Sequence, residues 1–366
     1  MTDQAKPDDQ DKPSETNSGD ANSGDANSDQ AQPTEQVSRR NFLIGANVVV
    51  IGGIGAVLGG KALWDRHERG GKAEVFIGKA EDYQADLVSL ILDGFRELKL
   101  DKKRIEGKTV LLKPNLVEPS KEAPHINTHP LMVRAAAEAF AKWGAGEVLV
   151  AEGQGHLRDT YLVLEQSGLG PVLDDAGIEF IDLNHDDVFT RENQLGFTDM
   201  KQLWLPQTLK RADFIVSLPK MKTHHWAGAT LSMKNFFGVM PGVCYGWPKN
   251  VLHHAGIGQS ILDINAAVKP DLAIVDGIIG MEGDGPIMGT PKQAGVVVMG
   301  ESLPATDATA VRVMGLDPWN IAYLRFASGY IGPVLEHNIT QRGEPIADVV
   351  TPFALLNHPD HSPYPT

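Results

Sequence analysis

The chain has 366 residues, 42% of them hydrophobic and 7% aromatic, which is enough for one large domain or two small ones with a buried core. Its formal charge of −14 argues against a nucleic-acid partner, because phosphate binding needs a basic surface. The single cysteine, Cys244, excludes an internal disulfide, a thiolate zinc cage and any iron–sulfur cluster ligated by this chain, and is expected to pack.

Residues 1–37 hold nine acids against Lys6 and Lys12, a net of −7, and include the repeat NSGDANSGDANSD. Such a stretch has no apolar face to bury and is expected to be a disordered acidic tail. Ser38, Arg39, Arg40, Asn41, Phe42 and Leu43 follow and open an uncharged run of 19 residues, 42–60. Paired arginines ahead of an apolar run resemble a twin-arginine export signal, so residues 38–63 are read as a signal or membrane anchor. At ~1.5 Å per helical residue the run reaches across most of a ~30 Å hydrocarbon core. No convincing small-x-small cleavage site follows it, so retention as an anchor stays open. The resemblance implies the twin-arginine export machinery as a partner, and a location in the periplasm or on the outer face of the cytoplasmic membrane.

From residue 73 strand and helix patterns alternate to form one domain, 73–366. Residues 74–78 read as a strand, and 86–98 as a helix with a stripe at Leu87, Leu90, Ile91, Phe95 and Leu98. Residues 109–112 form a buried strand ending in Lys113, Pro114 and Asn115. Pro130 opens a helix carrying Leu131, Val133, Ala136, Ala137 and Phe140. A strand over 146–151 runs into Glu152, a helix stops near Gly177, and a strand spans 178–183. The apolar run Phe214, Ile215, Val216, Leu218 is a strand expected to deliver a polar loop over 219–242. A helix around 260–268, strands over 272–275 and 294–299, and a helix over 306–314 complete the pattern. Near-continuous apolar strands alternating with helices predict an α/β fold, a mainly parallel doubly wound sheet with helices on both faces.

Ligands bind such sheets outside the carboxyl ends of the strands, where Lys113, Asn115, Glu152, Lys220, Lys222 and Asp276 fall. The 219–242 stretch adds His224, His225, Lys234 and Asn235. Motifs along the chain, LLKPNLV at 111–117, HPLMVRAAAEAF at 129–140, EVLVAEGQGH at 147–156, LPKMKTHHWAGATLSMKNFFGVMPG at 218–242, VDGIIGMEGDGP at 275–286 and ATDATAVRVMGLDP at 305–318, together resemble the DUF362 family. The resemblance covers nearly all of residues 73–320. It implies little about reaction, since the family's role is largely unassigned. Some members carry ferredoxin-like cysteine motifs that this chain lacks, so this one is read as a cluster-free, exported form.

Lys113, Lys220 and Lys234 are candidates to hold a small anion, with Asn115 and Asn235 orienting it through amide hydrogen bonds. Lys222, His224 and Glu152 are the candidate catalytic groups, because crowding lowers an ammonium pKa and histidine shuttles protons near neutrality. The alternative is that each lysine neutralises a nearby acid. Asp276, Glu282 and Asp284 on a glycine-rich stretch offer oxygen ligands for Mg²⁺ or Ca²⁺, or else build only a tight turn. His129, ahead of Pro130, is read as a helix cap, and His253 and His254 fall in a segment read as a lid. Two readings follow: an exported enzyme acting on a small anionic substrate with divalent-metal assistance, or a non-enzymatic envelope binding protein or accessory factor for an anionic ligand or cofactor. A structural partner of a membrane complex ranks behind both.

Overall fold

The computed structural model describes residues 71–356, so the acidic tail and the arginine-led apolar segment lie outside the described residues. The first half runs β1 Ala73–Lys79, α1 Leu87–Glu97, β2 Thr109–Pro114, α2 Pro130–Trp143, β3 Glu147–Glu152, α3 Thr160–Gln166, α4 Leu169–Ala176 and β4 Glu179–Asp182. A hairpin, β5 Val188–Glu192 with β6 Gln202–Pro206, leads through α5 Thr208–Arg211 to β7 Phe214–Leu218, β8 Lys220–His224 and β9 Gly228–Thr230. Three short helices follow, α6 Ser232–Asn235, α7 Gly242–Tyr245 and α8 Asn250–His254. The last part is α9 Ile257–Val268, β10 Leu272–Glu282, β11 Thr290–Gly300, α10 Leu303–Val313, α11 Ala322–Tyr330, β12 Ile339–Gly343 and α12 Ile346–Val349.

The main sheet has ten strands, ordered β12-β1-β11-β10-β7-β2-β3-β4, with β8 paired to β10 and β9 to β8. Pairing is parallel except where β11 meets β1 and β10, and where β9 meets β8. Period-two alternation splits each strand between two cores. Ile77, Leu111, Leu149, Ile215, Val275 and Val298 point into one, with α9, α10 and α11. Phe76, Leu112, Val150, Val216, Ile274 and Val297 point into the other, with α1, α2 and the α3–α4 pair. The sheet is therefore covered on both faces, as its apolar runs require.

Local signals end the helices where the sequence places them. Asp86 caps α1 by accepting from Ser89 N at 3.0 Å. His129 Nδ1 accepts from Leu131 N at 3.2 Å, ahead of Pro130 in the first turn of α2. Gly144 and Gly177 close α2 and α4 in the left-handed conformation that glycine adopts without strain. No helix among the described residues is long and apolar enough to cross a membrane.

Three expectations change. The 219–242 stretch is not a simple loop, because residues 220–224 continue as β8, held by β10 and β9. Likewise β10 does not stop at Asp276 but runs to Glu282 past a register shift between Gly277 and Ile279. Gly280 allows this, since a Cβ there would lie 2.8 Å from Met221 O. Cys244, expected to pack, is exposed.

Candidate functional site

Parallel pairing of β2 with β3 sets Lys113 near the end of one strand beside Glu152 at the end of the next. The two form a buried ion pair, with side chains 1% and 2% exposed. Lys113 Nζ also donates to Pro114 O at 2.7 Å and to Asn235 Oδ1 at 2.9 Å. Glu152 accepts from Leu116 N at 3.2 Å and Gly153 N at 2.9 Å besides Lys113, so both of its oxygens are engaged. Asn235 returns its amide to Lys113 O at 2.8 Å and Ser217 Oγ at 3.2 Å. The loop backbone at Gly238 lies directly on this pair. A Cβ there would overlap Glu152 Oε1 and come within 2.5 Å of Lys113 Nζ.

A second buried network lies around β8 and β10. Lys220 Nζ is 2.6 Å from Asp276 Oδ2, and both side chains have no exposure. Tyr83 donates to Asp276 Oδ1 at 2.9 Å and accepts from Lys220 at 2.8 Å, while His129 N donates to Asp276 Oδ2 at 3.0 Å. The Tyr83 and His129 rings stack 3.7 Å apart. Burial raises the Tyr83 pKa and lowers that of His129 to about 4, so both stay neutral across the physiological range. Every charge here has its partner.

Between the strand ends and the β8–β9 and α8 segments lies a cavity of about 390 Å³. Lys113, Asn115, Glu152, Lys222, His224, Lys234, Asn235 and Asp284 reach its wall; Lys220, Asp276 and Glu282 do not. Unlike Lys113 and Lys220, neither Lys222 nor Lys234 pairs with a carboxylate among the described residues. Lys222 is fully buried and has only Pro286 O, at 3.2 Å. Burial, reinforced by the Lys220 and Lys234 ammonium groups, holds its pKa well down. Lys234 sits 4.1 Å over the Phe237 ring, and burial together with Lys113 lowers its pKa to about 8. His224 Nδ1 accepts from Trp226 N at 3.1 Å and Ala227 N at 3.2 Å, which puts the ring proton on Nε2. Burial and the same cations keep that ring neutral.

The proposed carboxylate cluster does not assemble. Asp276 is held by Lys220, while Glu282 lies 3.2 Å from Lys292 and accepts from Ala354 N at 2.8 Å. Asp284 Oδ1 is 3.3 Å from His225 Nδ1, off the line of a hydrogen bond. No group of three His, Cys, Asp or Glu among the described residues is placed to hold a metal. His253 reaches the wall from α8, with its ring 6.1 Å from the exposed Trp226.

Further polar groups stand on the wall, and apart from Asn115 none is a candidate from the sequence. Gln154 Oε1, Asn115 Oδ1 and the Thr230 hydroxyl are buried with no hydrogen-bond partner, which leaves polar atoms for a ligand. Lys249, 2% exposed, enters from the loop before α8. Its only sequence cue is a charged residue after Pro248, which describes most surface lysines equally well.

The segments that build this wall fall within a match to the family model described as a domain of unknown function, DUF362, over residues 110–312. The chain belongs to the DUF362 family. A thylakoid-associated protein of Synechocystis sp. is 29% identical over 222 residues, covering 59% of this chain and 65% of that protein. The DUF362 chain thus spans just under two thirds of that relative's length. Among solved structures, the lactate racemase apoprotein of Thermoanaerobacterium thermosaccharolyticum aligns with a TM-score of 0.37 at 12% identity, over 56% of this chain and 50% of its own. A Thermotoga maritima protein aligns with a TM-score of 0.33 at 11% identity, over 63% and 59% of the two chains.

Proposed function

We propose that this DUF362 protein is an enzyme that binds a small organic anion in the cavity and moves a proton next to the anionic group. One observation carries the reading. Lys222, fully buried, and Lys234, half-buried, share a cavity with no carboxylate partner among the described residues, whereas the neighbouring Lys113 and Lys220 are each paired. Uncompensated buried charge is costly unless a ligand of opposite sign completes it. The apolar side of the cavity, Leu116, Val117, Phe237, Ile287 and Met288, suits the organic part of such an anion.

Lys234 holds the anion as a point charge, Lys222 supplies N–H groups and takes up a proton as the anion's charge offsets its burial, and Asn115 and Gln154 offer carbonyl oxygens to the ligand's hydroxyl or amine groups. His224 supplies an Nε2–H donor to an oxygen that gains charge, and Lys234, with a pKa of about 8, exchanges a proton near neutrality. The Lys113–Glu152–Asn235 network forms the floor. Export by the twin-arginine route is part of the proposal and rests on Arg39, Arg40 and the uncharged run that follows. The thylakoid association of the Synechocystis relative is compatible with a place at a membrane surface.

The test is proton exchange. Full-length protein is incubated in D₂O with pyruvate, phenylpyruvate and other small carboxylates, and deuterium incorporation is read by NMR. Catalysed exchange that is lost in Lys222→Met and His224→Gln supports the enzyme. Binding without exchange or turnover leaves the receptor reading in its place.

A further inference from the structure

We propose that Lys249 is the nucleophile of this cavity and forms an imine with the carbonyl carbon of a 2-oxo carboxylate whose carboxylate is held by Lys222 and Lys234. The inference rests on the anion-binding reading of the same cavity and names its substrate class.

Lys249 shares with Lys222 and Lys234 the lack of a carboxylate partner and differs from them in having two neutral acceptors. Its Nζ donates to Asn184 Oδ1 at 2.6 Å and to Met240 O, both neutral acceptors, and no carboxylate lies within ion-pair distance among the described residues. A neutral amine has two N–H groups and one lone pair. Two acceptors therefore satisfy a deprotonated Lys249 completely, and the lone pair is left over for an electrophile. An ammonium in the same place would have a third N–H and a full charge with no counter-ion. Asn184 is itself fixed, since its amide donates to Gln154 O at 3.1 Å and its Oδ1 also accepts from Gly242 N at 3.0 Å.

The backbone gives a second, independent sign. Lys249 has φ of +66°, a left-handed conformation unusual for a side chain of this kind, and among the described residues it is the one non-glycine position of that type on the cavity wall. The hydrogen bonds to Asn184 and Met240 hold its amine end in the interior. Burial brings its pKa to about 7, with Lys113 adding to the fall and Glu152 and Asp182 opposing it. A substantial fraction is therefore unprotonated at neutral pH, as an amine nucleophile requires.

The step balances without a further reagent. Nζ adds to the carbonyl carbon, a C=N bond replaces the C=O bond, and the carbonyl oxygen leaves as water with the two amine hydrogens. The imine draws electrons from the adjacent carbon, which makes a proton there removable. This links Lys249 to the proton transfer proposed above.

The test is reductive trapping on the full-length protein. Wild type is mixed with pyruvate or phenylpyruvate and treated with borohydride, and the adduct is located by intact mass and peptide mapping. Binding is followed separately through the fluorescence of Trp226, which stands on the cavity wall. The expected result is a single adduct with the mass of one oxo acid less one oxygen, placed on Lys249. It should be absent in Lys249→Arg, which keeps N–H donors but has no nucleophilic amine, and lost when the protein is unfolded in urea before mixing. An adduct on Lys222 or Lys234, or fluorescence-detected binding with no adduct, overturns the role of Lys249 and leaves the anion site intact. Neither binding nor adduct removes both.

Discussion

Replacing Glu152 with alanine separates the floor of the cavity from its chemistry. The substitution leaves Lys113 buried with its charge opposed only by neutral oxygens, and strips Leu116 N and Gly153 N of their acceptor. Both side chains are 2% exposed or less, so solvent does not screen the loss. Removing one member of such a pair costs about 3–5 kcal/mol, which in a domain of this size lowers Tm by on the order of 10 °C. The upper end is limited because burial already depresses the Lys113 pKa, so the orphaned amine can shed its proton. The cost should therefore shrink as pH rises. Replacing both partners, Lys113→Met with Glu152→Leu, should recover most of the loss, because no charge is then left unpaired. Urea unfolding followed by circular dichroism gives the free energies directly. A loss below about 1 kcal/mol in Glu152→Ala, coupled to complete loss of proton exchange, would refute the structural assignment and make Glu152 the base.

Other consequences follow from the same geometry. Anion affinity should hold below pH of about 8 and then fall about tenfold per pH unit as Lys234 loses its proton, measured by calorimetry across that range. Asp307 accepts from Ser232 N at 2.8 Å, Met233 N at 3.0 Å and Ser232 Oγ, and so anchors the turn that carries Lys234 and Asn235. Its folded-state pKa is raised to about 7 by burial, above the unfolded value, so its contribution to stability is full below about 4 and is lost as pH rises through about 7. The wild-type unfolding free energy should carry that downward slope, and Asp307→Asn should lack it. Fusing residues 1–70 to a reporter tests export: Arg39→Lys with Arg40→Lys should retain the reporter in the cytoplasm, and unchanged export would remove the twin-arginine reading.

The sheet was legible because its central strands are buried on both faces and read as unbroken apolar runs, as in Val110, Leu111 and Leu112 or Val296, Val297 and Val298. β8 was not, because Lys220, Lys222, Thr223 and His224 are polar yet buried, a combination that looks like a loop until the pairings are known. The β5–β6 hairpin lies half in solvent and exposes Trp204, so its alternation is weak. Which lysines are paired and which are not was also hidden. Lys113 and Glu152 lie at adjacent strand ends, and that register, once recognised, was the available clue. Lys220 and Asp276 face each other only through the β8–β10 register, which the reading of 219–242 as a loop concealed. Lys249 owes its burial to the packing of residues 240–250 against Asn184, a contact between distant segments with no local signature.

If the unpaired Lys222 and Lys234 make the cavity an anion site, titration calorimetry shows it directly. Pyruvate, phenylpyruvate and inorganic phosphate are titrated into wild type, Lys222→Met and Lys234→Met, with thermal melts as the control for folding. At least one of these anions should bind wild type, and each variant should weaken it by about 10- to 100-fold, the loss of one charge-assisted contact, with melts unchanged or raised. No binding by any of the three, or equal affinity in wild type and both variants, would contradict this assignment.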